Sequence, residues 1–320
     1  MPLDDGTRAF LAAMAAAAGP PLYERPVEEV RMLIRTMQQQ VGGPAPDVKA
    51  VRAERVSVEG GDIEVRIYWP HAESVRDRLP MLLYFHGGGW AAGDLDSHDG
   101  LARAFCAQAG LIVANVGYRL APEQKFPVQV EDSYRALCWA ADQAARLGAD
   151  AARIAVGGDS AGGNLAAAIT LLARDRGGPR PAFQLLLYPA VDLDLTADYP
   201  SRREFGGGEY FLSAADMRWF TSLYLRSAAD AHDPLASPLR AADLSRLPPA
   251  LVVTAGHDML RDEAKAYADR LRAAGVAVEY RCFESTIHAF LSFGGVIPLA
   301  GEGLQFAASR LRQALAPAGV

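Results

Sequence analysis

The sequence predicts an α/β protein, a mostly parallel, doubly wound sheet of eight strands with helices on both faces and a helical cap. Three observations predict it. From residue 81 onward short continuous apolar runs alternate with longer amphipathic segments, the pattern of strands covered on both faces and joined by crossover helices. A glycine-rich heptapeptide, Gly158-Asp159-Ser160-Ala161-Gly162-Gly163-Asn164, stands where one apolar run gives way to a helical one. The rhythm breaks once, over residues 189–250, a stretch too long for one crossover.

In chain order, residues 1–50 read as helices and linkers. The apolar stretch Phe10–Ala18 imitates a secretion-signal core, but the segment before it carries Asp4 and Asp5 against Arg8, and such a signal needs a positive leader. Val30, Leu33, Ile34, Met37 and Val41 recur at helical spacing behind Pro26, Glu28 and Glu29, a stripe expected to pack on the body of the protein. Gly42-Gly43-Pro44-Ala45-Pro46 ends that helix. Arg55–Glu59 and Ile63–Trp69 flank Gly60-Gly61-Asp62 as a hairpin that adds an antiparallel edge. Met81–Phe85 is a buried strand running into His86-Gly87-Gly88-Gly89-Trp90. Then come a helix near Leu101–Ala109, strand Leu111–Val116, helix Val128–Leu147, strand Arg153–Val156, helix Asn164–Ala173 and strand Phe183–Tyr188. After the long interruption, strand Leu251–Ala255, helix Arg261–Ala274, strand Val276–Phe283 and a closing helix Leu299–Leu315 complete the repeat. The expected division is cap helices in 1–50, one core in 51–190 and 246–320, and an inserted cap in 191–245. Phe205, Tyr210, Phe211, Trp219, Phe220 and Tyr224 are expected mainly to form that insertion's own core, and Gly206-Gly207-Gly208 a flexible joint.

Composition excludes several function classes. With 320 residues, half of them hydrophobic, 22% charged and a net charge of −6, the chain reads as a soluble globular enzyme with a large core and no basic face for nucleic acid. No apolar run reaches a membrane-spanning length. Cys106, Cys138 and Cys282 are odd in number and scattered, so reduced thiols in a cytoplasmic protein are expected. The pairs His98-Asp99, His232-Asp233 and His257-Asp258 lack a metal-ligand spacing.

The heptapeptide carries the chemistry. A serine on a tight strand-to-helix turn is pushed out of the sheet edge, and the glycines two residues either side avoid clashes that a Cβ would make. Its hydroxyl attacks only if a base takes the proton and a third group orients the base. In such layouts the order is serine, acid, histidine, which sets aside His71, His86 and His98 and leaves His232, His257 and His288. His232 falls in the insertion and His257 adjoins a candidate acid. His288 follows the last strand by the short loop Glu284–Ile287 and is the base preferred. Asp258, just past a strand's carboxyl end, is preferred as the acid over Asp192, which opens the insertion. Asp262 and Glu263 then read as charges at a helix N-terminus. Backbone N–H groups of Gly88, Gly89 and Ala161 are the candidate oxyanion donors. His86 reads as a buried histidine shaping the loop, and Trp90, Tyr188, Phe205 and Ile287 as candidate substrate contacts.

With these residues in place the sequence resembles the bacterial hormone-sensitive-lipase-like esterases, family IV of the lipolytic enzymes, in the α/β-hydrolase superfamily. The resemblance spans almost the whole chain and rests on His86-Gly87-Gly88-Gly89, Tyr118-Arg119-Leu120-Ala121-Pro122-Glu123, the Gly-Asp-Ser-Ala-Gly-Gly elbow, Asp258–Glu263 and His288-Ala289-Phe290. It implies Ser160, Asp258 and His288 as triad, the three oxyanion donors above, a cap from the N-terminal helices and the insertion, and no metal or organic cofactor. Met259 stands where the family usually has proline, and Ala289 where it has glycine. The implied activity is a carboxylesterase for short to medium acyl chains acting on small-molecule esters. A lactone, carbamate or amide hydrolase would use the same triad. A receptor, as in the plant gibberellin receptors, is disfavoured by His288, since those have lost the triad histidine. Family members are often dimeric, so a homodimer is an expectation of the resemblance alone.

Overall fold

The computed structural model describes residues 1–17, 19–71 and 78–317; Ala18, the end of the alanine-rich stretch, lies outside them. The chain runs α1 (Asp5–Ala16), α2 (Val27–Val41), β1 (Ala50–Val58), β2 (Gly61–Trp69), β3 (Leu79–Phe85), α3 (Asp99–Ala109), β4 (Ile112–Gly117), α4 (Val128–Leu147), β5 (Ala149–Asp159), α5 (Ala161–Arg176) and β6 (Phe183–Leu187). It continues through α6 (Pro200–Phe205), α7 (Ala214–Tyr224), β7 (Ala250–His257), α8 (Arg261–Ala273), β8 (Val278–Ile287) and α9 (Leu299–Ala314).

The strands form one eight-stranded sheet in the order β1-β2-β4-β3-β5-β6-β7-β8. The β1–β2 hairpin is antiparallel, and β2 meets β4 antiparallel; every later pairing is parallel. Alternation decides the two faces. Met81, Leu83 and Phe85 of β3 join the core shared with α4, α5 and α8, while Leu82 and Tyr84 join the core shared with α3 and α9. With both faces covered, the central strands need apolar residues at every position, hence the continuous runs in the sequence. Helix α5 is buried continuously from Ala161 to Ala173, all but its last three residues, so it shows little amphipathic contrast.

Two expectations change. The strand expected over Val276–Phe283 starts later and runs on to Ile287, absorbing the loop expected before His288. Its pairing with β7 passes from Ala255↔Phe283 to His257↔Ile287, two residues on one strand against four on the other, a bulge that re-aims the chain just before the histidine. The aromatics of the insertion divide: Phe205 meets Tyr210 and Trp219 meets Phe220 within it, as expected, whereas two others pack outward on the rest of the protein. Tyr224 stacks on Trp90 at 4.5 Å, and Phe211 meets Phe10 of α1 and Phe293. The stripe on α2 is only partly seated: Val30 is fully buried, whereas Leu33 is 42% exposed.

Candidate active site

Ser160 stands between β5 and α5 with φ 54° and ψ −117°, a backbone conformation costing on the order of 1–3 kcal/mol that only a constrained turn sustains. The constraint is visible. The N–H of Ser160 donates to Leu187 O at 2.9 Å, its carbonyl accepts from Asn164 N at 3.0 Å and Ala190 N at 3.3 Å, and a Cβ at Gly158 or Gly162 would collide with the carbonyl of Phe85. Asn164, the last residue of the heptapeptide, is fully buried. It donates to Ala190 O and Ala236 O, both at 2.8 Å, and accepts from Trp90 Nε1 at 3.3 Å, tying the turn to the insertion.

His288 directly follows β8. Its Nε2 lies 2.9 Å from Ser160 Oγ and its Nδ1 lies 2.7 Å from Asp258 Oδ2. Asp258, 1% exposed, also accepts from Leu260 N at 2.9 Å, so its carboxylate is aimed before the histidine arrives. The rival acid is engaged elsewhere. Asp192 accepts from Arg240 Nε at 2.6 Å and Tyr199 Oη at 2.9 Å, at the root of the insertion.

Three residues around the histidine acquire roles from packing. Tyr188, buried and at φ 36°, sets its ring edge-on to His288 at 5.1 Å. Ile287 is fully buried beneath it. Ala289 adopts the left-handed conformation at φ 61°, where a Cβ costs roughly 1–2 kcal/mol. Ala289→Gly removes that strain and loses about 0.4–1 kcal/mol through a looser unfolded chain, so a net stabilisation of up to ~1.5 kcal/mol with turnover retained is expected in urea denaturation.

The loop after β3 forms the opposite wall. Gly88 and Gly89 hold φ 116° and 60°, and among the described residues their N–H groups donate to no partner, while Gly88 O accepts from Ala91 N and Ala92 N. The ring of Phe220 from α7 lies where a Cβ on Gly89 would fall. Trp90, stacked on Tyr224 and 1% exposed, packs into the body. Phe205 lies against Tyr210 and His257 in a separate aromatic group.

Asp159, the residue before the serine, is 2% exposed. Its buried carboxylate accepts from Tyr84 Oη at 2.7 Å and Gly87 N at 3.0 Å, and faces His98 Nε2 at 3.4 Å. Burial works against its charge, and His98 with Tyr84 outweighs burial and holds the carboxyl below the usual range. His86 shapes the loop as expected: Nδ1 donates to Gly87 O at 2.9 Å, the ring stacks on Tyr118, and burial pushes its pKa down to about 4. Glu263 is not a helix-end charge. It reaches back to accept from Val191 N at 2.9 Å, Asp192 N at 3.2 Å and the Arg202 guanidinium, joining the loop of Asp258 to the start of the insertion. No signal in the sequence marks that long-range bond. Among the described residues no group of three or more His, Cys, Asp or Glu side chains could hold a metal, and no helix is long and apolar enough to cross a membrane.

A family model described as alpha/beta hydrolase fold matches residues 82–292. The chain is 47% identical over 257 residues to the carboxylic ester hydrolase LipN of Mycobacterium tuberculosis, a match covering 78% of this chain and 66% of that one. It is 44% identical over 261 residues to the carboxylesterase NlhH of the same organism, covering 79% of each. A hyperthermophilic esterase from the archaeon Pyrobaculum calidifontis superposes with a TM-score of 0.93 at 39% identity, over 99% of this chain and 100% of that one.

Proposed function

Since this chain belongs to the alpha/beta hydrolase fold family, in its hormone-sensitive-lipase-like branch, we infer that it is a carboxylesterase working through an acyl-enzyme on Ser160. The observation that carries this reading is the unbroken chain from Ser160 Oγ through His288 to Asp258, with bonds of 2.9 and 2.7 Å, at the carboxyl edge of the sheet.

His288 Nε2 takes the Ser160 proton as Oγ attacks the ester carbonyl, and Asp258 holds the Nδ1–H tautomer and stabilises the imidazolium. The tetrahedral oxygen is received by the N–H groups of Gly88, Gly89 and Ala161. His288 then gives the proton to the departing alkoxide, and repeats the cycle with water to free the acid. These steps need no metal or organic cofactor. Of the four candidate substrate contacts, Tyr188 sets its ring against His288 and Ile287 precedes it in the chain, whereas Trp90 packs on Tyr224 and Phe205 on Tyr210 and His257.

Residues 1–50 and 191–245 act as a cap over the core of 51–190 and 246–320. Phe220, reaching from α7 to the Gly89 turn, supports a confined pocket and therefore short to medium acyl chains. Small-molecule esters are the substrates, a homodimer is the assembly the family resemblance favours, and the unpaired Cys106, Cys138 and Cys282 support a cytoplasmic site of action. A rate panel of p-nitrophenyl esters graded by acyl length, with a matched anilide and lactone, tests the reading. The rate should peak at short to medium acyl groups. Preference for the anilide or the lactone over every ester would overturn it.

A further inference from the structure

We propose that Arg31, on helix α2, is a positioning residue for the oxyanion loop, so that turnover requires this cap helix to be seated. The proposal rests on the reading of Gly88 and Gly89 as oxyanion donors and adds what holds them. Arg31 is three-quarters buried and spends its whole guanidinium on one junction. Nε donates to Ala91 O at 2.8 Å, Nη2 to Ala121 O at 2.8 Å, and the fork closes on Glu123 at 2.8 and 2.7 Å. Ala91 belongs to the turn closed by Ala91 N and Ala92 N on Gly88 O, and Ala121 N donates to Trp90 O at 2.9 Å. One planar group thus pins the two segments whose contact fixes the turn carrying both glycines, a geometry that the guanidinium fork provides and an ammonium does not.

A second path leaves the same helix one turn later. Arg35 pairs with Asp94, whose Oδ1 accepts from Ser97 N at 2.7 Å. Ser97 Oγ meets His98 Nδ1 at 3.0 Å, and His98 faces Asp159, the acceptor of Gly87 N. The two arginines therefore grip the loop from outside and, through His98 and Asp159, from beneath. Val30 is the one fully buried residue of helix α2, Val27, Met37 and Val41 pack partly buried against the body, and Val41 O accepts from Gly295 N at 2.8 Å, so the two arginines are its polar ties to the loop. Its seating and the loop's conformation are one equilibrium. This also gives the Glu of Tyr118–Glu123 a task that the triad chemistry left unassigned.

The test uses the full chain with Arg31→Met, which keeps the stem, and Glu123→Gln, where the carboxylate is half-exposed and its loss leaves the backbone bonds of Arg31 in place. Each is assayed with an aryl butyrate and the corresponding aryl thionobutyrate, alongside thermal melting. The ester-to-thionoester rate ratio reports on amide donors, which donate to oxygen more strongly than to sulfur. Arg31→Met is expected to lower kcat by about 10²-fold, the usual consequence of a small misplacement in a preorganised site, with KM little changed and the ratio falling toward that of hydroxide hydrolysis. Glu123→Gln should shift kcat and the ratio in the same direction by less. An unchanged ratio in both variants, whatever happens to melting or KM, overturns the proposal while leaving the oxyanion reading intact. A wild-type ratio equal to that of hydroxide hydrolysis overturns the oxyanion reading, and this proposal with it.

Discussion

Ser160→Ala is expected to lower kcat for p-nitrophenyl butyrate by on the order of 10⁶, leaving the fold unchanged. The side-chain oxygen meets one partner, His288 Nε2 at 2.9 Å, and the bonds by which residue 160 shapes the turn are made by its backbone. Alanine keeps the Cβ, so the strained φ of 54° is neither relieved nor worsened. Stability should therefore stay within about 0.5 kcal/mol of the parent in urea unfolding, since no named source of destabilisation is touched. Undiminished turnover in this variant would remove Ser160 as the nucleophile and, with it, the acyl-enzyme.

Asp258→Asn and Asp192→Asn separate a catalytic carboxylate from a structural one. In Asp258→Asn an amide can turn its NH₂ toward Nδ1 and stabilise the wrong tautomer, while the charge that supports the imidazolium is gone; kcat should fall by about 10⁴ with little change in melting. In Asp192→Asn the loss falls on Arg240 and Tyr199, 2.6 and 2.9 Å away, and nothing in that group touches His288. There a charge-assisted bond is weakened at a buried carboxylate, which should reduce stability by roughly 1.5–3 kcal/mol with turnover largely kept. Kinetics and urea unfolding on both variants decide the matter. A large loss of kcat confined to Asp192→Asn would reverse the assignment.

How much of the site was legible follows from how local each signal is. The elbow is readable because its requirements are met within seven residues: two glycines where a Cβ meets Phe85, and a serine whose turn excludes other conformations. Asp258 and His288 are readable because chain order and position at strand ends suffice. Glu263 misleads for the opposite reason. Its position in the first turn of α8 suits a helix-end charge, yet its partners are the N–H groups of Val191 and Asp192 and the guanidinium of Arg202, residues 61 to 72 positions away. Two of the insertion's aromatics differ likewise, because composition shows that Tyr224 and Phe211 need apolar partners but not that Trp90 and Phe293 supply them.

The sequence by itself determined the strand–helix alternation, the parallel sheet with an antiparallel edge, the elbow and the chemical types of base, acid and oxyanion donors. These are properties of hydrophobic period, glycine sterics and chain order, all of which act over a few residues. The tertiary structure alone decided how these segments meet: the β8 bulge just before His288, the Asp159 carboxylate under Gly87, Asn164 binding the elbow to the insertion, and Arg31 of α2 bonded to Ala91 O in the turn after β3. Each is a directional bond or a register change between segments far apart in the chain. Hydrogen bonds of that kind depend on angles and tenths of an ångström, which no spacing along the sequence encodes.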